Sequence, residues 1–165
     1  MVERGKIEYT IWDCGGGDRI RPLYRHYYPN TQCLGWWIDC TDRDRLEESV
    51  GWLWETLLGP HGTGGTPQGL MEVEPDVKLV VFANKQDVPN AMTAEEIIQR
   101  LIQPTPALHV APHWPHEDGV IPATVGLEVL LGPLGGRWHV QPSSASSGNG
   151  LEEALEWFVQ TVKES

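Results

Sequence analysis

The sequence predicts an α/β domain built on a mainly parallel sheet, and three observations carry that prediction. Short apolar runs suited to buried strands alternate with segments whose apolar residues recur at helical spacing. Several runs end in an acid or a polar turn, where strands of such sheets hand the chain to a site. No internal repeat interrupts the alternation, and the two stretches that do, 59–75 and 103–136, are rich in proline and glycine.

The elements follow in chain order. Ile7 to Trp12 alternates apolar and polar side chains and ends at Asp13-Cys14-Gly15-Gly16-Gly17, which predicts a strand running into a loop. Cys33 to Asp39 is an apolar run ending in an acid. Thr41-Asp42 then leads to Leu46, Val50, Leu53 and Leu57 at helical spacing, predicting a strand and a helix. Lys78 to Ala83 is a compact apolar strand, and Thr93-Ala94-Glu95-Glu96 is a capping box ahead of Ile97, Ile98 and Leu101. Arg137 to Gln141 is the last strand. Leu151, Leu155, Phe158, Val159 and Val162 give a final helix one apolar face, with Asn149 as its candidate cap. Gly59 to Pro75 and Gln103 to Gly136 are too long for ordinary connections in such a domain and receive no regular structure.

Composition narrows the class. A chain of 165 residues with 40% hydrophobic content suits a single domain with one core. A net charge of −11 argues against nucleic acid or anionic lipid as a partner. Val2 stands where myristoylation would need glycine, no basic amphipathic helix precedes the first strand, and no apolar run suits a membrane span, so no membrane anchor is expected. Cys14, Cys33 and Cys40 are odd in number and lack metal-ligand spacing, so buried thiols in a reducing compartment are expected.

Asn84-Lys85-Gln86-Asp87, directly after a strand, carries the strongest chemical signal. An Asp carboxylate accepts from both the ring N–H and the exocyclic amine of guanine, Asn meets the other edge, and a Lys stem covers the ring face. Adenine offers no such donor pair. A mismatched base would leave polar groups unpaired at about 1–3 kcal/mol each. Taken alone, this string also suits a solvated turn. Trp12-Asp13-Cys14-Gly15-Gly16 adds a strand-end carboxylate, able to hold a magnesium-bound water, and glycine amides that can approach a terminal phosphate. Ser144-Ala145-Ser146, between the last strand and the last helix, can place a backbone amide near the guanine carbonyl.

The run from Trp12 through Gly17, Ile20 and Tyr24 to Tyr27 resembles the switch II region of the ADP-ribosylation factor (Arf) family of small GTPases. Val81 to Met92 is similar to that family's base-recognition segment, and Ser144-Ala145-Ser146-Ser147-Gly148-Asn149-Gly150-Leu151 is similar to the segment that supports the base. The resemblance covers about 110 residues and is poorest from Gln103 to Gly136. It implies a G-domain-like P-loop NTPase fold and a guanine nucleotide, GTP or GDP, with Mg2+ as cofactors. Asp13, Gly15, Gly16 and Gly17 would face the phosphates, and Asp13 would touch magnesium only through water. Asn84, Lys85, Gln86, Asp87, Ser144, Ala145 and Ser146 would hold the base. The implied partners are Arf regulators or effectors, met through Trp12, Ile20, Tyr24 and Tyr27. The implied setting is vesicle-mediated and intracellular protein transport, in the cytoplasm or at the Golgi.

The sequence departs from that family at the phosphates. No Gly-x-x-x-x-Gly-Lys-Ser/Thr occurs in these 165 residues, nor does the switch I threonine, and Gly17 stands where the family has the glutamine that orients the attacking water. Binding without hydrolysis by this chain alone is therefore expected. The resemblance also implies a sheet without its first strand, leaving the strands at Ile7–Trp12 and Cys33–Asp39 each with an unpaired edge. A nucleotide-independent interaction module and a truncated reading frame remain the alternatives. For Trp12 and Tyr27, core packing under the loop weighs as much as partner binding. Trp36 and Trp37 are expected to fill space beside the missing strand. His109, His113 and His116 have helical ligand spacing, but Pro112 and Pro115 break that helix, so a solvated loop is expected rather than a metal site.

Overall fold

The structure, a computed structural model, describes residues 2–4, 7–17, 19–59, 69–102 and 134–163. Strand β1 (Val2–Arg4) pairs antiparallel with β2 (Ile7–Tyr9). A 3-10 helix follows at Arg21–His26, then β3 (Cys33–Asp39), α1 (Leu46–Leu58), α2 (Leu70–Val73), β4 (Lys78–Asn84), α3 (Ala94–Ile102), β5 (Trp138–Pro142) and α4 (Leu151–Lys163). The main sheet is parallel, in the order β3-β4-β5, with Cys33 opposite Lys78 and Leu79 opposite Trp138. The predicted α/β class with a mainly parallel sheet is therefore observed.

β4 is the central strand and is buried on both sides, which is why its sequence is a continuous apolar run. Leu79, Val81 and Ala83 face one layer, joined by Leu46, Val50, Leu53 and Leu57 of α1 and by Ile97 and Leu101 of α3. Val80 and Phe82 face the other, where Leu151, Ala154, Trp157 and Phe158 of α4 cover them. The helical stripe expected on α1 is fully inside. The capping box closes as predicted: Thr93 N–H donates to Glu96 Oε2 at 2.8 Å, and Glu96 N–H to Thr93 Oγ1 at 3.2 Å. Among the described residues, no helix is long and apolar enough to cross a membrane.

Four expectations need correction. The strand expected over Ile7–Trp12 stops at Tyr9, because β1 offers partners only as far as Val2 opposite Tyr9, and Ile11 and Trp12 lie exposed. Leu70–Val73, assigned to an irregular stretch, forms one helical turn because the buried Leu70 anchors it against the α1 layer. The last strand runs one residue further at each point, from Trp138 to Pro142. Asn149 does not occupy the position before α4. Gly150 does, and its carbonyl accepts from Ala154 N–H, while the Asn149 carbonyl accepts from Ser144 N–H. The histidines at 109, 113 and 116 and most of both irregular stretches lie outside the described residues.

At the β3 edge the two tryptophans behave differently. Trp36 packs against the core and donates its indole N–H to Ser49 Oγ at 3.1 Å, whereas Trp37 stacks on Phe82 at 4.2 Å and stays 48% exposed. Behind this edge, burial on α1 pushes the Glu55 carboxyl up to about 7, with Arg21 partly opposing the shift. The folded form thus binds a proton more tightly than the unfolded form does. Its contribution is fully present below about pH 4.5 and is lost as pH rises through about 7. Glu55→Gln should accordingly raise the thermal midpoint at pH 8 by a few degrees, about 1 kcal/mol after allowance for solvent exposure, and change it little at pH 5. Melts at the two pH values check this.

Candidate functional site

The residues expected to read the base sit where β4 and β5 end, at the carboxyl edge of a parallel sheet, where ligands of such folds gather. Neighbouring strand ends bring the two loops together. Ser143 N–H donates to Ala83 O at 2.9 Å and Gln86 N–H to Ser143 O at 3.0 Å, so the chain after β5 is clamped to the chain after β4. Gln86 then turns inward, and its amide donates to Met92 O at 2.8 Å, closing the 84–92 loop from behind. Gln86 is thus a brace.

Side chains complete the cross-linking. Asn84 Oδ1 accepts from Ala145 N–H at 3.0 Å, and Asp87 Oδ2 accepts from Ser146 Oγ at 3.0 Å. The Ser144 hydroxyl, with the Asp87 backbone amide and the Ser146 hydroxyl, holds the Asp87 carboxyl below the usual carboxylate range. Ser144 is itself buried. Its Oγ lies 3.0 Å from Ser146 Oγ, and its carbonyl accepts from Gly148 N–H at 2.8 Å. Asn84, Asp87, Ser144, Ala145 and Ser146 are therefore one hydrogen-bonded unit, with Asp87 anionic and at the surface.

Lys85 reaches the end of β3. Its backbone has a φ of 67°, a left-handed conformation that costs an ordinary residue on the order of 1 kcal/mol, and its ammonium meets Asp39 Oδ2 at 2.7 Å. The other oxygen, Asp39 Oδ1, accepts from Thr41 N–H at 3.0 Å and from Thr41 Oγ1 at 2.7 Å. The Lys85 contact, helped by those from Thr41, lowers the Asp39 carboxyl to about 2. Sequence reasoning missed Asp39. The signal was the acid that ends the β3 run, and only the register, which sets Asp39 opposite Asn84, shows what it meets.

The expected phosphate side is less assembled. Asp13, Gly15, Gly16 and Gly17 are all exposed, and a Cβ on any of the three glycines would meet nothing within 4 Å. Gly15 O accepts from the Tyr24 hydroxyl at 2.9 Å, and Gly17 O from Ile20 N–H at 2.8 Å, so the loop is tied to the 3-10 helix. Among the described residues no group of three His, Cys, Asp or Glu side chains can hold a metal ion. Gly16 and Asp39 line one open cleft of about 240 Å³, which Trp36, Trp37 and Trp52 also line.

Of the residues expected to meet partners, Trp12, Ile20 and Tyr27 are exposed, together with Ile11 and Leu23. The Trp12 and Tyr27 rings lie 5.3 Å apart and tilted at 45°. Tyr24 is half-buried and holds Gly15. The model of one family, the ADP-ribosylation factor family, matches residues 1–162.

Proposed function

This chain belongs to the ADP-ribosylation factor family, and from that premise we propose that it binds guanine nucleotides through its base-reading loops without hydrolysing GTP on its own. The family is one of GTP-binding small GTPases, and the parallel sheet with helices on both faces is of its P-loop GTPase class. One observation carries the finer reading: Asn84 and Asp87 are cross-linked to Ala145 and Ser146 at 3.0 Å each. A loop held in its binding conformation loses less freedom on binding. Asp87, ionised and exposed, presents the acceptor that guanine's two donors require.

The hydrolysis half of the proposal rests on Gly17. Glycine has no side chain to orient a water. The resemblance brings with it a role in vesicle-mediated transport, contact with Arf regulators or effectors, and a cytoplasmic or Golgi location. A second reading, interaction without nucleotide, is favoured by the exposed apolar patch of Ile11, Trp12, Ile20, Leu23 and Tyr27.

Thermal melts with millimolar GTP, GDP and ATP test the proposal. A ligand present at about 100 times its dissociation constant adds roughly 2.7 kcal/mol. The midpoint should rise with GTP and GDP and not with ATP, and GTP should be recovered intact. A melt indifferent to all three nucleotides would leave the exposed patch as the function.

A further inference from the structure

We propose that Asp39 is a positioning residue for guanine-nucleotide binding: it tethers the Lys85 ammonium so that the lysine stem is fixed beside the base-reading loop before any nucleotide arrives. The inference rests on the guanine reading above and adds to it a residue from a different strand.

A lysine side chain has four rotatable bonds and loses much freedom when it is held in one pose. Lys85 is half-exposed, so packing does not immobilise it, yet its Nζ lies 2.7 Å from Asp39 Oδ2. Asp39 can act as an anchor because it is itself fixed. It ends β3 in register with Asn84, and Thr41 binds its Oδ1 twice, which leaves Oδ2 directed at the lysine. The carboxylate stays charged across the physiological range, since its contacts lower it to about 2. A half-exposed ion pair contributes little to stability, so holding the fold together does not account for this arrangement. Lys85 has a left-handed backbone, and its ammonium reaches the end of β3 while its charge still acts on Asp87. Asp39 also lines the cleft that Gly16 lines.

Two readouts test this on the full chain. In the first, the nucleotide-free protein is acylated under limiting reagent and the rate at each lysine is read by peptide mass spectrometry. Asp39→Asn should speed labelling of Lys85 by about five-fold and leave Lys163 unchanged, with Asp39→Glu in between. In the second, GDP and ADP affinities are measured. Asp39→Asn should weaken GDP binding about five- to ten-fold, Asp39→Glu should restore part of it, and Asp39→Asn should have no further effect when Lys85 is already Met. Unchanged labelling of Lys85 overturns the tether whatever the nucleotide result. Faster labelling with unchanged or tighter GDP binding overturns positioning and makes Asp39 a competitor for the lysine. A wild-type chain that protects Lys85 but binds no GDP overturns the guanine reading, and with it the role of the tether in binding.

Discussion

Gly150→Ala should lower the thermal midpoint by about 6–12 °C and remove the proposed response to guanine nucleotide. Gly150 has a φ of 78°, and a Cβ there would lie 2.0 Å from the carbonyl oxygen of Pro142 and 3.1 Å from Ser143 Cα. Both obstacles are backbone at the end of β5, so no side chain can swing away. Relief requires the start of α4 to separate from the strand end, at a cost on the order of 3 kcal/mol, equivalent to the stated shift in a chain of this size. The displaced backbone is the one that carries Ser143 to Ser146, which explains the loss of the nucleotide response. Gly148→Ala is the control. Its φ is 83°, but a Cβ would meet nothing within 4 Å, so only the left-handed strain of roughly 1 kcal/mol remains. Equal melting losses for the two variants would contradict the close-approach argument.

Asp87→Ala should abolish the proposed discrimination between guanine and adenine and weaken GDP binding by about 100-fold or more, while the melt of the free protein should move by no more than about 2 °C. The split follows from where Asp87 sits. It is exposed, and its partners, the Ser146 hydroxyl at 3.0 Å and the buried Ser144 hydroxyl, also meet each other at 3.0 Å and so keep a partner without it. Guanine has no such substitute, because its ring N–H and amine both need that carboxylate. Asn84→Ala should behave differently. Asn84 is half-buried and satisfies Ala145 N–H at 3.0 Å, so its loss loosens the joint between the loops, and stability falls along with affinity. Calorimetric titration of both variants with GDP and ADP, alongside their melts, separates the two roles.

Much of this architecture was legible in the residues. Leu46, Val50, Leu53 and Leu57 marked the inner face of α1, the run before Asn84 marked a strand buried on both sides, and Thr93 with Glu96 marked a helix start. These are local signals, set by periodicity and by groups three residues apart. The loop proposed to read the base stood out for a similar reason, because Asn84 to Asp87 are consecutive. What the sequence hid depends on distant partners. Thr10 to Trp12 continue an alternating pattern, but a strand ends where its partner ends, and β1 offers only three residues. Leu70 to Val73 lie in a glycine- and proline-rich stretch, and a single buried leucine organises them. Gly150 displaces Asn149 as the residue before α4 because only a residue without a side chain fits beside Pro142 O. The Asp39 to Lys85 pair joins positions from two strands, and nothing short of their register reveals it.

The most direct single measurement is a calorimetric titration of the wild-type chain with GDP and then with ADP at equal ionic strength. Saturable GDP binding at least about 100-fold tighter than ADP binding is the result expected of a base-reading loop built from Asn84, Asp87 and the Ser144–Ser146 segment. Equal affinities for the two nucleotides, or no heat from either, would contradict guanine recognition by this chain.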